Sequence, residues 1–329
     1  MAAFLVCKRS ALGVRHRRLR SRAGRSLLFK DAAPCDCAQP TRLHEPKRLD
    51  YKQQLKPLGH GRRVLYKGVM MPFVQLRGKK IAYAVNPEAY DASSLALVFV
   101  HGSGGDREDW RDQLSGLSET ATALAIELPG HGKSDGPGES SVAAYAAWVA
   151  DFVEALGLSR VMLVGCSLGS AITQWIALIG KPWLQAIGLV GAGARLRVHP
   201  SFLEGLKKED GAAALSLLAD FCLSPHTGEP LRSFIDQKMR AVSADIVYGD
   251  LKACDEFDVM DRLKKITVPT WIIVGQDDRL TPPKYAQFLH KEIRDSWLHV
   301  VGQAGHLISL EAPETFNNLL KEFIQQRLQ

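Results

Sequence analysis

Apolar runs too continuous to alternate in and out are the feature that most restricts this chain. Ser94–Val100 reads SLALVFV, and Thr122–Leu128, Val161–Val164, Ala186–Val190, Trp271–Val274 and Trp297–Val301 are runs of the same kind. A strand with one wet face alternates apolar and polar residues, so runs like these need cover on both faces. Helical patterns fall between them. Ser140 and Ser141 can cap a helix in which Tyr145, Trp148, Val149, Phe152, Ala155 and Leu156 recur at helical spacing until Gly157. Leu168–Ile179 and Pro313–Leu328 read as two further helices. Strands alternating with helices predict an α/β fold, a mostly parallel sheet with helices on both faces. Ahead of these segments, Phe73–Arg77 and Lys80–Val85 flank Gly78 as a hairpin.

One block breaks the alternation. Residues 195–265 contain no strand run, and Glu209–Cys222 and Leu231–Ala244 read as helices. A helical block of this size between two core strands reads as a cap subdomain, with 71–194 and 266–329 forming the core around it.

The formal charge of +7 belongs to the N-terminus and not to the folded part. Residues 1–30 hold nine Lys and Arg and no Asp or Glu, whereas from Met71 onward there are 25 basic and 31 acidic residues, a net of −6. A mildly acidic body gives no reason to expect a nucleic-acid partner. Residues 1–70 are expected to be an extension outside the fold. Their first 30 have the Arg-rich, acid-free composition of a mitochondrial transit peptide. A disordered basic arm and a true start at Met70 or Met71 are the competing readings. Cytoplasmic location is expected, or mitochondrial if the transit peptide is genuine. No apolar run reaches the roughly 18 residues of a membrane-spanning helix. The six cysteines form no CxxC pair, and the lone CxC of Cys35 and Cys37 is too little for a metal site. No disulfide framework is expected, and a reducing compartment is the default. Gly102-Ser103-Gly104-Gly105 opens no dinucleotide fingerprint and no phosphate-binding loop is present, so no cofactor or metal is expected.

Chemistry enters at Gly165-Cys166-Ser167-Leu168-Gly169, directly after the apolar run Val161–Val164 and at the head of a helical pattern. A sharp strand-to-helix turn of this kind exposes Ser167 at the sheet's edge, and only small residues two before and two after it avoid a clash. An aspartate follows the run Trp271–Val274, in Gly275-Gln276-Asp277-Asp278, and Gly305-His306 follows Trp297–Val301. Each candidate therefore falls just after a core strand, at the carboxyl edge where parallel sheets place their sites.

Together with the order Ser…Asp…His, these segments resemble the α/β-hydrolase superfamily over essentially all of residues 71–329. His101-Gly102-Ser103-Gly104-Gly105 resembles that family's oxyanion loop, Glu127–Asp135 its turn after the fourth strand, and His306–Pro313 its segment after the catalytic histidine. The resemblance implies an eight-stranded sheet and a triad. Ser167 is the nucleophile, His306 the base that takes and returns its proton, and Asp278 the acid that orients the imidazole. Asp277 is the rival acid, and the family pattern favours the aspartate three residues after the glycine. Oxyanion donors are expected in the Ser103 and Leu168 amides.

His131 is expected to hydrogen-bond locally in its Pro-Gly-His-Gly turn, Cys166 to pack in the core, and Trp110 to pack under the His101–Gly105 loop, with lining the pocket as its alternative. Phe202, Phe221 and Met239 have two readings, facing the substrate or packing in the core, and apolar residues at helical period favour the core. A serine at the elbow disfavours dehalogenases and epoxide hydrolases, which use aspartate there. The short cap fits a small ester or lactone as substrate. Carbon–carbon bond hydrolases, proline iminopeptidases and acyltransferases use the same triad, and a receptor-like binding protein with little turnover is the alternative of another class.

Overall fold

A computed structural model describes residues 69–87, 90–208 and 211–328 of the chain. The readings of residues 1–68 as transit peptide, basic arm or late start lie outside the described residues. Eight strands form one sheet: β1 (Phe73–Leu76), β2 (Lys79–Asn86), β3 (Leu95–Val100), β4 (Thr122–Ile126), β5 (Arg160–Cys166), β6 (Leu184–Val190), β7 (Thr270–Gly275) and β8 (Ser296–Val301). Their spatial order is β1-β2-β4-β3-β5-β6-β7-β8. Only β2 runs against its neighbours, pairing antiparallel with both β1 and β4, and the pairs from β4 to β8 are parallel. The chain leaves β3 for β4 on one side and returns through β5 on the other. The connections therefore part at the carboxyl ends of β3 and β5 and leave a crevice there.

Continuous apolar runs are explained by the two layers that cover the sheet. Along β3, Ala96, Val98 and Val100 face one apolar cluster, and Leu97 and Phe99 face the other. The first layer comes from α2 (Val142–Ala155), α3 (Leu168–Ile179) and α8 (Pro283–Glu292), through Tyr145, Val149, Phe152, Ile172, Ile176 and Leu289. The second comes from α1 (Arg111–Gly116) and α10 (Pro313–Arg327). There Phe316 packs edge-on to Trp271, their centroids 5.0 Å apart, and beside Trp110. Burying one such ring contributes about 2–3 kcal/mol. A short helix, α9 (Ile308–Glu311), precedes α10.

The β1–β2 hairpin turns through Arg77 and Gly78, both at positive φ. Arg77 was expected to end the first strand. The two-residue turn takes it instead, because that geometry matches the sheet's twist. Its guanidinium lies over the Trp148 ring and 2.7 Å from Asp151. Met70, assigned to the extension from sequence, pairs with Val85 by two backbone hydrogen bonds of 2.9 Å.

Between β6 and β7 lie α4 (Pro200–Leu206), α5 (Ala212–Phe221), α6 (Glu229–Ala241) and α7 (Ala244–Glu256). The helix expected over Leu231–Ala244 is divided, since α6 ends at Ala241 and α7 starts at Ala244. Neither α4 nor α7 was expected. Of the helix expected over Glu209–Cys222, Glu209 and Asp210 lie outside the described residues. The four helices share a small apolar cluster that includes Leu215, Leu218, Ile235, Met239, Val247 and Leu251, closed against Leu310. Among the described residues no helix is long and apolar enough to cross a membrane.

Candidate active site

The turn from β5 to α3 forces Ser167 to φ 54° and ψ −114°. A non-glycine residue in such a region costs on the order of 1–3 kcal/mol and persists only when its surroundings impose it. Here they do. The Ser167 amide donates to Val190 O at 3.0 Å, while its carbonyl accepts from the Ser170 and Ala171 amides and from Ser170 Oγ at 2.6 Å. A Cβ at Gly165 would collide with the Gly169 carbonyl, and one at Gly169 with that of Val100. The two glycines thus let the elbow close against β3.

His306 lies in the turn after β8, with Asp278 after β7. The imidazole Nδ1–H donates to Asp278 Oδ2 at 2.8 Å. The same carboxylate accepts from the Thr281 hydroxyl (2.8 Å) and from the Leu280 and Thr281 amides (2.9 and 2.8 Å). Both side chains are buried. Burial alone would lower the His306 pKa, but the adjacent Asp278 carboxylate outweighs it and holds the pKa above its ordinary value. Burial likewise pushes Asp278 up, and His306 and the Thr281 donors overcome it, leaving the carboxyl below the usual range. With Nδ1 committed to Asp278, Nε2 is the free basic nitrogen. It is buried without a hydrogen-bond partner among the described residues.

Asp277 takes a different place. Its Oδ2 accepts from Ser224 Oγ at 2.7 Å and lies 4.0 Å from His226 Nε2. It touches neither His306 nor the cavity.

The His101–Gly105 loop passes against the nucleophile: a Cβ on Gly102 would stand 3.2 Å from that of Ser167. His101 pins the loop, accepting from the Leu128 amide through Nε2 (3.0 Å) and donating to Gly102 O through Nδ1 (2.8 Å). Burial pushes its pKa down to about 3, with His131 adding to the effect, so it is neutral. Leu168 is the first residue of α3, where a backbone amide has no acceptor within the helix. The loop that bears Ser103 thus passes close to Ser167, and Leu168 follows Ser167 directly at the head of α3.

Ser167, His306, Gly102 and Ser103 line one cavity of about 280 Å³. Its walls are mostly apolar and come largely from the segment between β6 and β7. Phe202, Phe221 and Met239 face this cavity, the less favoured of their two readings, and Met239 packs in the cluster of the four helices as well. Helical spacing reports which face is buried but not whether protein or an open pocket lies opposite. Cys166 packs in the core and also reaches the lining. Trp110 is fully buried, stacked on Phe99 with centroids 4.8 Å apart, and does not line the cavity. His131 corrects the local expectation: Nδ1 does bond to Pro129 O (3.1 Å), but Nε2 reaches Asp250 on α7 at 2.9 Å. Among the described residues no three His, Cys, Asp or Glu side chains gather as a metal-binding group.

One position against the histidine–aspartate pair carried no sequence signal. Gly191, just after β6, has φ +51°, and a Cβ there would stand 2.8 Å from His306 Nδ1 and 3.3 Å from Asp278 Oδ2. The histidine–aspartate pair rests on this bare backbone.

Comparison with known proteins agrees with this fold. Residues 97–319 match the model of the alpha/beta hydrolase family. The chain is similar to 3-oxoadipate enol-lactonase 1 of Acinetobacter baylyi, 24% identical over 260 residues, covering 76% of this chain and 94% of that one. It is 27% identical over 247 residues to pimeloyl-[acyl-carrier protein] methyl ester esterase of Neisseria meningitidis, covering 70% of this chain and 92% of that one. Among solved structures, a thermophilic esterase superimposes with a TM-score of 0.71 at 32% identity over 79% of this chain and 99% of its own. The enol-lactonase from Burkholderia xenovorans LB400 shares the fold at a TM-score of 0.71 and 20% identity, covering 77% of this chain and 100% of its own. With more than half its length matched by the family model, this chain belongs to the alpha/beta hydrolase family.

Proposed function

We propose that this chain is a serine hydrolase that cleaves a small ester or lactone through an acyl-enzyme on Ser167. The observation that carries the reading is that a strained serine and a histidine whose Nε2 has no hydrogen-bond partner among the described residues line the same cavity. In the first half-reaction, Ser167 Oγ adds to the substrate carbonyl as its proton passes to His306 Nε2. The Asp278 carboxylate steadies the imidazolium through Nδ1–H. The Ser103 and Leu168 amides take the developing oxyanion. Collapse expels the alkoxide, which receives the proton from His306. Water then repeats the sequence on the acyl-enzyme and regenerates Ser167.

Residues 195–265 act as the cap that sizes the substrate. Their side chains supply most of the apolar wall, and about 280 Å³ is near the lower end of small-molecule pockets. The esterase and lactonase names carried by relatives and structural neighbours support the ester class. Hydrolysis of p-nitrophenyl esters of graded chain length, with a lactone beside them, tests this. Turnover that peaks at short to medium acyl chains is expected. A protein that turns over none of them overturns the proposal.

A further inference from the structure

The loop that carries Ser103 is gripped from outside the core. Three residues of α7 meet it at helical spacing. Val247 packs under Gly104, where a Cβ would stand 3.2 Å from Val247 Cγ2. Asp250 Oδ2 accepts from the Gly104 amide at 3.0 Å. Cys254 Sγ lies 3.9 Å from Ser103 Oγ. Residues i, i+3 and i+7 share one helix face, so this face of α7 runs along Ser103 and Gly104. Asp250 is fully buried and is held from below as well, accepting from Tyr145 Oη at 2.6 Å and from His131 Nε2 at 2.9 Å.

The second grip comes from α6. Lys238 is nearly buried, lies 2.7 Å from Asp106 and pairs also with Asp109. These acids are the capping box of the 3-10 turn Arg107–Trp110 that ends the loop: Asp106 accepts from the Glu108 amide, and Asp109 from the Asp106 amide. Its neighbour Met239 lies over Gly104, with Sδ 2.8 Å from where a Cβ would be, and Gly104 has φ +65°. Only a glycine accepts both that backbone and that overlay.

We infer that α6 and α7 complete the oxyanion site, with Asp250 and Lys238 as positioning residues that fix the Ser103–Asp109 loop so that the Ser103 amide faces the reacting carbonyl. This rests on the serine-hydrolase reading. The peptide joining Ser103 to Gly104 is planar, so tying the Gly104 N–H to Asp250 sets the rotation of the segment that follows the Ser103 amide. Neither residue bonds to substrate in this account. Each acts where the oxyanion forms, and so in the transition state more than in the ground state. It follows that the helices which size the pocket also assemble a catalytic element, and that a cap displaced from the core lacks a complete oxyanion site.

The test uses the full chain and an arylboronic acid, whose tetrahedral anionic adduct on the serine imitates the oxyanion. For wild type, Asp250→Asn, Lys238→Met, Lys238→Arg and Tyr145→Phe, kcat, KM for a p-nitrophenyl ester and the boronate inhibition constant are measured. Each is expressed per site titrated with a fluorophosphonate, so unfolded molecules are not counted. Asp250→Asn and Lys238→Met are expected to lower kcat about tenfold or more, as loss of an oxyanion donor does, with KM changed by less than about threefold. Boronate affinity should fall in step with kcat across the series, and Lys238→Arg should restore most of both. The milder Lys238→Arg and Tyr145→Phe keep the series readable if a harsher variant does not fold. An active wild type whose variants keep kcat and boronate affinity per titrated site overturns this inference alone. A wild type without turnover overturns the hydrolase reading, and this inference with it.

Discussion

His306 is pulled two ways, and the balance can be measured. Burial disfavours its charged form, and the Asp278 carboxylate at 2.8 Å favours it more strongly, so its pKa stands above the ordinary value. In the proposed mechanism only the neutral imidazole takes the Ser167 proton. Activity must therefore be lost as pH falls through this raised pKa, and kcat/KM should rise along an acid limb centred above about 6.5. Asp278→Asn removes the attraction and leaves the burial. The limb should then move to lower pH while kcat falls on the order of a thousandfold or more. Asp277→Asn should change kcat by less than about threefold, because that carboxylate faces Ser224 and not His306. Similar losses in both variants would contradict the assignment. Gly191→Ala should be nearly as harmful as loss of the acid, since its methyl would occupy the space of His306 Nδ1. The pH profiles and kcat values of these variants check all three expectations.

The positions of Ser167 and His306, the proposed nucleophile and base, were legible because each stands in a short motif behind an apolar run. Choosing between Asp277 and Asp278 needed family resemblance, since adjacent residues share every local signal. Gly191 and Asp250 were not legible. Their roles exist only once crossovers bring β6 beside β7 and α7 over the His101 loop, and nothing in the surrounding sequence records that.

At the scale of elements, Glu311 joins three segments. Its carboxylate accepts from the Gly305 amide at 2.8 Å, from the Ser224 amide at 2.7 Å and from Thr227 Oγ1. The turn carrying His306 is fastened to the end of α5 by the same side chain, and the His306 amide itself donates to Cys222 O at 2.9 Å. Hydrogen bonds to a charged group contribute about 1.5–3 kcal/mol each. Glu311→Ala should lower the melting temperature by several degrees and reduce kcat, because the base loses one of its anchors. A thermal melt beside an activity assay checks this, and an unchanged melt would show that the strap is not needed. Strands β3 to β7 were readable because both faces bury apolar residues along nearly their whole length. By contrast β8, expected from its apolar run to be covered on both faces, is an edge strand in which only Val301 is buried and Val300 is exposed. The helices between β6 and β7 were less readable. The break between α6 and α7 falls at Val242-Ser243, with neither glycine nor proline to mark it, and α4 spans only Pro200–Leu206.

At the scale of the whole molecule, separate strands converge on one end of the sheet. Five strand ends, those of β3, β5, β6, β7 and β8, deliver the His101–Gly105 loop, Ser167, Gly191, Asp278 and His306 to one end of the sheet. The insertion between β6 and β7 closes over them and leaves a cavity of about 280 Å³. A parallel sheet with a switch between β3 and β5 places its chemistry there, and the sequence pattern already implied such a sheet. The size and lining of the cavity were not implied, because they depend on how four helices pack and not on where they begin. The central claim is that this convergence makes Ser167 a nucleophile. The direct measurement is to treat the full chain with a fluorophosphonate, digest it and locate the adduct by mass spectrometry, beside Ser167→Ala and His306→Ala. The account predicts one adduct, on the peptide bearing Ser167. It should be absent from Ser167→Ala and form far more slowly in His306→Ala, with both variants melting near the wild type. Labelling at another residue, or none in a folded wild type, would contradict it.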